Sequence, residues 1–297
     1  MPNSITLAKN YVALLDQVYQ NASVTSVLDS DTSTMRAGAN ANEILIPKLS
    51  MSGLADYSRN SGYIKGDVKL EWETVKFNYD RGRIFEVDTQ DNEETVQLAF
   101  GRLASEFMRI KVAPEADAFT FAQLAGTEGI SKVAAGATLA DGAAVMSALK
   151  DGIDTMDEDE VPEESRYLFI TPTNLSAIKA MDTTKSRELL DNFASIIKVP
   201  QSRFYTAIDL LDGEDHTGAS GADESAGHFK KAAAGKDINF MIVHKPAVIK
   251  YNKHIASNII TPEANQHADG YMQKYRKYGL VDMYENKTAG VYLHHKA

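Results

Sequence analysis

The sequence predicts an α+β chain whose strands and helices interleave and whose N-terminal third extends away from the body. Three observations carry this. Residues 68–73 alternate at the two-residue period of a strand, with Val68, Leu70 and Trp72 on one side and Lys69, Glu71 and Glu73 on the other. Val96, Ala99, Phe100, Leu103, Phe107 and Ile110 recur at the spacing of one helical stripe. Beyond them, helices and strands follow in an order that repeats no βαβ unit, which argues against a barrel or a simple doubly wound sheet. The chain has 297 residues, 43% of them hydrophobic. That supports a packed core in one large domain or two intertwined ones.

Taken in order, residues 5–20 (Ile5, Leu7, Tyr11, Leu14, Leu15, Val18, Tyr19) predict an amphipathic helix capped by Asn3 or Ser4. Residues 21–43 are rich in Ser, Thr, Asn, Asp and Ala and read as an extended arm. With few core-type residues in the arm, removal of residues 1–36 is expected to leave a folded subunit. Ile44, Leu45 and Ile46 predict a short strand, and Ser52 to Gly66 a polar stretch. The strand from Val68 shows a phase shift at Thr74-Val75, the mark of a bulge, and continues through Phe77 and Tyr79. Tyr79-Asp80-Arg81-Gly82 signals a turn and Ile84 to Val87 a return strand, which together predict a polar two-stranded ribbon. Ten-residue arms would reach roughly 33 Å.

Asp91, with Glu94 three residues on, predicts the start of a helix that runs to Ala113 and breaks or kinks at Pro114. Phe119, Phe121 and Leu124 continue an apolar helix. Val145 to Met156 predicts another, running into residues 151–165, which hold eight Asp or Glu and no Lys or Arg. Tyr167 to Ile170 reads as a buried strand, followed by a helix capped by Thr173. Residues 194–199 and 203–208 read as strands, 211–236 as a long loop and 238–243 as an apolar strand. The tail from Ile255 reads as short strand-like pieces.

Composition excludes whole classes of chemistry. Without cysteine there are no disulfides, thiolate nucleophiles or cysteine metal sites. A net charge of −10 makes a poor general ligand for nucleic acid or anionic membrane. No window reaches the roughly 18 apolar residues of a membrane span, and Met1-Pro2-Asn3-Ser4 lacks the features of a secretory signal. Phosphate-loop, dinucleotide, nucleophile-elbow and zinc-protease motifs are absent. All seven histidines lie from His216 onward and read as solvated or locally bonded groups. Asp212, Glu214, Asp215 and His216 are the best metal candidates, although they lack the order of a calcium loop. No catalytic, cofactor or metal site is assigned. Residues 230–297 hold 11 Lys or Arg against 5 Asp or Glu, so the rest of the chain is strongly acidic. That polarity suits head-to-tail contact between copies, or one face turned toward polyanion.

The order of parts resembles the major capsid protein of tailed bacteriophages, with its Hong Kong 97-type shell fold. Asp91 to Ala125, with Val112-Ala113-Pro114-Glu115-Ala116-Asp117, is similar to the family's spine helix. Tyr167 to Leu175, Ile238 to Lys245 and Tyr275 to Tyr292 resemble its core and C-terminal segments. The resemblance implies an N-terminal arm and first strand (1–52), an extended β-hairpin loop overlapping a neighbour (53–90), and a spine helix of a peripheral domain (91–128). It further implies an axial domain (129–254) and C-terminal strands of the peripheral domain (255–297). Val68, Leu70, Trp72, Phe77, Tyr79, Arg81 and Arg83 are then the expected intersubunit contacts. The implied function is a structural one: pentamers and hexamers of an icosahedral shell enclosing double-stranded DNA, assembled in the host bacterial cytoplasm. The implied partners are copies of the chain, a separate scaffolding protein, a portal and, non-specifically, packaged DNA, with no membrane. Some relatives cross-link the extended loop through lysine and asparagine; Lys65, Lys69, Lys76 and Asn286 match no such motif. An encapsulin-like nanocompartment shell shares the fold and is the nearest alternative. A hydrolase using the Asp212–His216 segment is a third reading, and a nucleic-acid binder acting through the basic tail a fourth.

Overall fold

The computed structural model describes residues 23–30, 36–37, 42–60, 62–90, 98–181, 183–217, 222–266 and 268–297. The expected helix at 5–20 and the expected cap at Asp91 and Glu94 lie outside them. The strands are β1 (Arg36–Ala37), β2 (Glu43–Met51), β3 (Val68–Lys76), β4 (Tyr79–Asp88), β5 (Ser131–Lys132), β6 (Arg166–Ile170), β7 (Ser195–Lys198), β8 (Ile208–Leu210), β9 (Phe229–Lys231), β10 (Ile238–His244), β11 (Val248–Ile260), β12 (Gly270–Met283) and β13 (Val291–His295). The helices are α1 (Leu98–Phe107), α2 (Ala113–Gly126), α3 (Gly142–Glu158), α4 (Pro172–Ala180) and α5 (Thr184–Asp191).

Two sheets organise the chain. One has the order β11-β12-β4 and the other β5-β13-β10-β6-β7. A single helical rod serves both. Helix α1 passes through a π-helical turn, Met108–Val112, straight into α2, with helical backbone angles at Phe107, Val112 and Ala113. From Leu98 to Gly126 it runs about 43 Å at 1.5 Å per residue. Of the break or kink expected at Pro114, the break does not occur. In a regular helix the proline ring would meet the carbonyl of Ile110, and the wider π turn just before it makes room. Ala104, Met108, Val112 and Ala116 pack with Tyr275 of β12, whereas Phe121 and Leu124 enter the core beneath β10 and β6.

Strand β10 is buried along its whole length, which suits the central strand of a sheet covered on both faces. Phe240 and Ile242 face α3 and α4, where Val145, Leu149, Met156 and Leu175 fill the layer. Met241 and Val243 face Phe121, Leu124 and Leu28. A Cβ at Gly152 would lie 2.9 Å from the Tyr292 ring, so glycine is what lets α3 approach β13.

The pairing of the N-terminal strands differs from expectation. The ribbon is β2 with β3, in unbroken register from Glu43 opposite Lys76 to Met51 opposite Val68, without a bulge at Thr74-Val75. The phase shift there reflects a change in which face is buried. The turn expected at Tyr79–Gly82 is also absent. Those residues belong to β4, one continuous strand paired with β12. Gly82 sits mid-strand, where a Cβ would lie 2.8 Å from the Tyr275 carbonyl oxygen; glycine permits close backbone approach there. The expected short tail pieces are one long hairpin, β11 with β12. Strand β13 lies between β5 and β10, not with the peripheral strands as expected. Residues 203–208 form no strand before β8, the 211–236 loop contains β9, and Thr171, not Thr173, precedes the first turn of α4.

The segment 23–30 is part of the core. Leu28 is fully buried, and Asp117 of α2, also fully buried, accepts hydrogen bonds from Ser23 Oγ (2.7 Å), Thr25 Oγ1 (2.7 Å), and the Val24 and Thr25 amides (3.1 Å each). Arg203 Nη1 donates the fifth at 2.9 Å. This packing argues against the expectation that residues 1–36 are dispensable for folding, because their loss would remove four of the five hydrogen bonds to Asp117. Leu28→Ala should cost about 2–5 kcal/mol in urea unfolding followed by circular dichroism. Deletion of residues 1–36 should cost more, and a deletion variant as stable as the full chain would remove this segment from the core.

Candidate assembly interface

The β2–β3 hairpin changes character along its length. At its root Ile44, Ile46 and Val75 are buried against Ile249 of β11 and Leu280 of β12. Lys48 reaches Glu285 at 2.5 Å, fastening the root to the body. Two further carboxylates crowd this spot. Burial, reinforced by the charge of Glu285, pushes the carboxyl groups of Glu73 and Asp282 above their ordinary values.

Further out, the apolar residues switch to the opposite face. Pro47, Leu49 and Met51 stand directly opposite Trp72, Leu70 and Val68, so all six share one face. Val68 is 73% exposed, Leu70 56% and Trp72 39%. The other distal face carries Lys48, Ser50, Lys69 and Glu71, with an ion pair between Lys69 and Glu71. At the tip, the Tyr57 and Tyr63 rings meet in a tilted arrangement with centroids 4.8 Å apart, and Leu54 and Ile64 are exposed. The Ser52 amide bonded to the Asp67 carbonyl and the Ser58–Gly62 bridge hold the tip in shape.

The remaining expected contact residues are engaged within their own chain. Phe77 packs on Tyr278 at 4.6 Å, with the Lys253 ammonium 4.9 Å from its ring centre. Tyr79 is buried and donates to Glu115 Oε1 at 3.1 Å. Arg81 Nε donates to the same oxygen at 2.9 Å, and its Nη2 to the Leu211 carbonyl at 2.6 Å. Arg83 donates to the Ser225 carbonyl at 2.8 Å. His228 Nδ1 lies 3.4 Å from Glu115 Oε2. These groups lock the 211–228 loop to β4 and α2, a junction sequence reasoning missed because its members are far apart in the chain.

The metal candidates resolve into an exposed loop. Ligand atoms of Asp212, Glu214 and His216 lie within 4.8 Å of one another, while Asp215 turns to Thr217 at 2.7 Å. His216 Nε2 meets Asp212 Oδ2 at 2.6 Å, a contact that raises the imidazole above its ordinary value. The acidic stretch 151–165 is tethered by buried Arg166, which pairs with Asp157 at 2.7 Å and donates to the Val161 and Pro162 carbonyls. His244, His294 and His295 are buried, and of the two readings, solvated or locally bonded, the second holds for His294, 3.0 Å from Asn239 Nδ2, and for His295, whose Nδ1 lies 2.6 Å from the Lys296 carbonyl oxygen. Asn239 Nδ2 donates to the Ala137 carbonyl and points at His294 Nδ1, so that nitrogen is the acceptor. Burial, with His295 beside it, holds His294 below the ordinary histidine value. Among the described residues no helix is long and apolar enough to cross a membrane.

Burial pushes the Glu115 carboxyl up, but hydrogen bonds with His228 and Arg81, together with the Arg81 charge, outweigh it and hold the carboxyl below its ordinary 4.5. A depressed carboxylate contributes stability that is full above the unfolded value and lost as pH falls through the folded one. Glu115→Gln should therefore lower the urea midpoint at pH 7, and the gap to the unmodified chain should close below about pH 4. A gap that stays constant with pH would show that the carboxylate charge contributes nothing.

No family model matches the chain, and no curated protein matches it. Solved structures do. The capsid of Myoviridae phage XM1 is 12% identical with a TM-score of 0.56, covering 93% of this chain and 92% of that one. The capsid of cyanophage P-SCSP1u is 14% identical with a TM-score of 0.56, covering 90% and 87%. A virus-like particle from Pyrococcus furiosus is 9% identical with a TM-score of 0.52, covering 96% and 99%. At these identities the likeness is one of fold, and the fold of this chain is the fold of phage capsid shells.

Proposed function

We propose that this chain is the major capsid protein of a tailed bacteriophage. It assembles into pentamers and hexamers of an icosahedral shell around double-stranded DNA, and the distal hairpin face lies on a neighbouring copy. The observation that carries the reading is that face. Leu49, Met51, Val68, Leu70 and Trp72 are all exposed on a hairpin whose root packs with Ile249 of β11 and Leu280 of β12. Covering them stabilises contact by about 25 cal/mol per Å² of apolar area removed from water. In a closed shell each copy gives and receives such a contact, so modest contacts multiply into high avidity. The spine helix and the two sheets correspond to the peripheral and axial parts of a shell subunit. A scaffolding protein, a portal and phosphate-directed contact with DNA complete the partners. A nanocompartment shell is the second reading, supported by the likeness to the Pyrococcus furiosus particle; nucleic acid against protein cargo in purified particles separates the two.

Sedimentation velocity of the purified chain, with and without a scaffold, should reveal closed particles, and Trp72 emission should move to shorter wavelength as they form. Trp72→Ala should weaken assembly by about tenfold or more in the required concentration while changing subunit stability little. Monomer alone under every condition, or unchanged Trp72 emission in particles, would contradict the reading.

A further inference from the structure

The stretch 133–141, between β5 and α3, crosses the end of the β5-β13-β10-β6-β7 sheet as a strap held by a few polar contacts. The Val133 amide donates to the Leu293 carbonyl at 3.3 Å and the Ala137 amide to the His295 carbonyl at 3.0 Å. The Ala137 carbonyl accepts from Asn239 Nδ2 at 2.8 Å. The same nitrogen lies 3.0 Å from Nδ1 of His294, which is buried on β13. We propose that His294 is a proton-operated latch for this strap. Neutral, it keeps the strap closed; protonated, it lets residues 133–141 leave the sheet. Every member of the latch belongs to one chain, so it needs no neighbouring copy.

The latch follows from counting donors. A carbonyl oxygen only accepts, so the Asn239 atom that faces Ala137 is the amide nitrogen. Its two hydrogens serve the Ala137 carbonyl and His294, so Nδ1 of His294 is bare and Nε2 carries the ring hydrogen. Protonation puts a hydrogen on Nδ1. Two donors then face each other, and Asn239 has to turn away. Turning it gives up the Ala137 carbonyl and leaves the strap with its backbone contacts to β13 and the packing of Val133 and Leu139 on the α3 layer.

The surroundings favour the neutral ring. Phe240 of β10 stacks on it with centroids 5.1 Å apart. The strap from Val133 to Ala140 carries no charged residue. On β13, the neighbouring His295 disfavours a second cation, and Tyr292 stays neutral because burial pushes its phenol up. Asp151 of α3 acts the other way, but burial outweighs it and His294 stands below its ordinary value. His295 is no latch of this kind. Its Nδ1 faces the Lys296 carbonyl at 2.6 Å and is already the donor, so a proton added at Nε2 breaks nothing there.

The sign of the effect is fixed by linkage. A histidine depressed in the closed form binds its proton more readily once the strap is open. Closure therefore weakens as pH falls below the ordinary 6.5 and goes on weakening down to the closed-form value. Each unit of depression multiplies opening by about ten at the acid limit.

Hydrogen–deuterium exchange of the full chain, read by mass spectrometry and corrected for the intrinsic pH dependence of amide exchange, tests this. Peptides covering 131–141 should exchange at least about fivefold faster at pH 5.0 than at pH 7.5, while the peptide over 238–243 stays protected. His294→Asn puts a carbonyl oxygen near the place of Nδ1 and does not titrate, so its strap should show no such rise. Exchange at the imidazole Cε1–H, followed for each histidine of the unmodified chain, gives the His294 midpoint without any substitution and decides the matter even if the variant fails to fold. That midpoint should lie below 6.5, and the rise in strap exchange should level off there. Strap protection unchanged between pH 7.5 and 5.0, an equal rise in His294→Asn, or a His294 midpoint at or above 6.5 would overturn the latch.

Discussion

Asp117 is fully buried, with five hydrogen-bond donors around it. A buried carboxylate stripped of partners costs several kcal/mol, so the groups that satisfy it are not optional. They come from two distant places, residues 23–25 and Arg203, and meet on α2. Lys250 extends the network from β11, donating to the Thr25 carbonyl at 2.8 Å and pairing with Asp29 at 2.9 Å. One charge thus fixes the arm segment, the rod and both sheets relative to one another.

The rod makes this possible because it is shared. Its first half lies on Tyr275, its middle meets Tyr79 and Val281 through Phe119, and its end enters the core beneath β10 and β6 through Phe121 and Leu124. Near its start α2 carries two buried carboxylates on different sides, Glu115 toward β4 and His228, Asp117 toward residues 23–25. Continuity of the helix past Pro114 is therefore a structural requirement, and the π turn supplies it.

Periodicity made much of this legible. Helix α3, strand β6 and strand β10 follow from apolar patterning, and the amphipathic stripe through Leu103 and Phe107 marks the rod. Strand pairing was harder to read. Alternation told that residues 68–76 form a strand but not whether β2 or β4 is its partner, and Gly82 looked like a turn because glycine serves both turns and close backbone contacts. The exposed hairpin face was visible at Val68, Leu70 and Trp72. Tyr79 and Arg81 shared its sequence neighbourhood but not its environment, since Glu115 lies more than thirty residues away in sequence and claims both. The polar composition of residues 23–30 hid their role, because Ser and Thr there serve a buried anion that only the fold brings near.

The central claim is that the hairpin finds its partner surface on a neighbouring copy. Electron cryomicroscopy of particles formed by the purified chain addresses this most directly. The account predicts closed shells in which density for Leu49, Leu70 and Trp72 is continuous with the body of an adjacent subunit. Closed shells whose hairpins touch no neighbour, with that apolar face open to solvent, would contradict it.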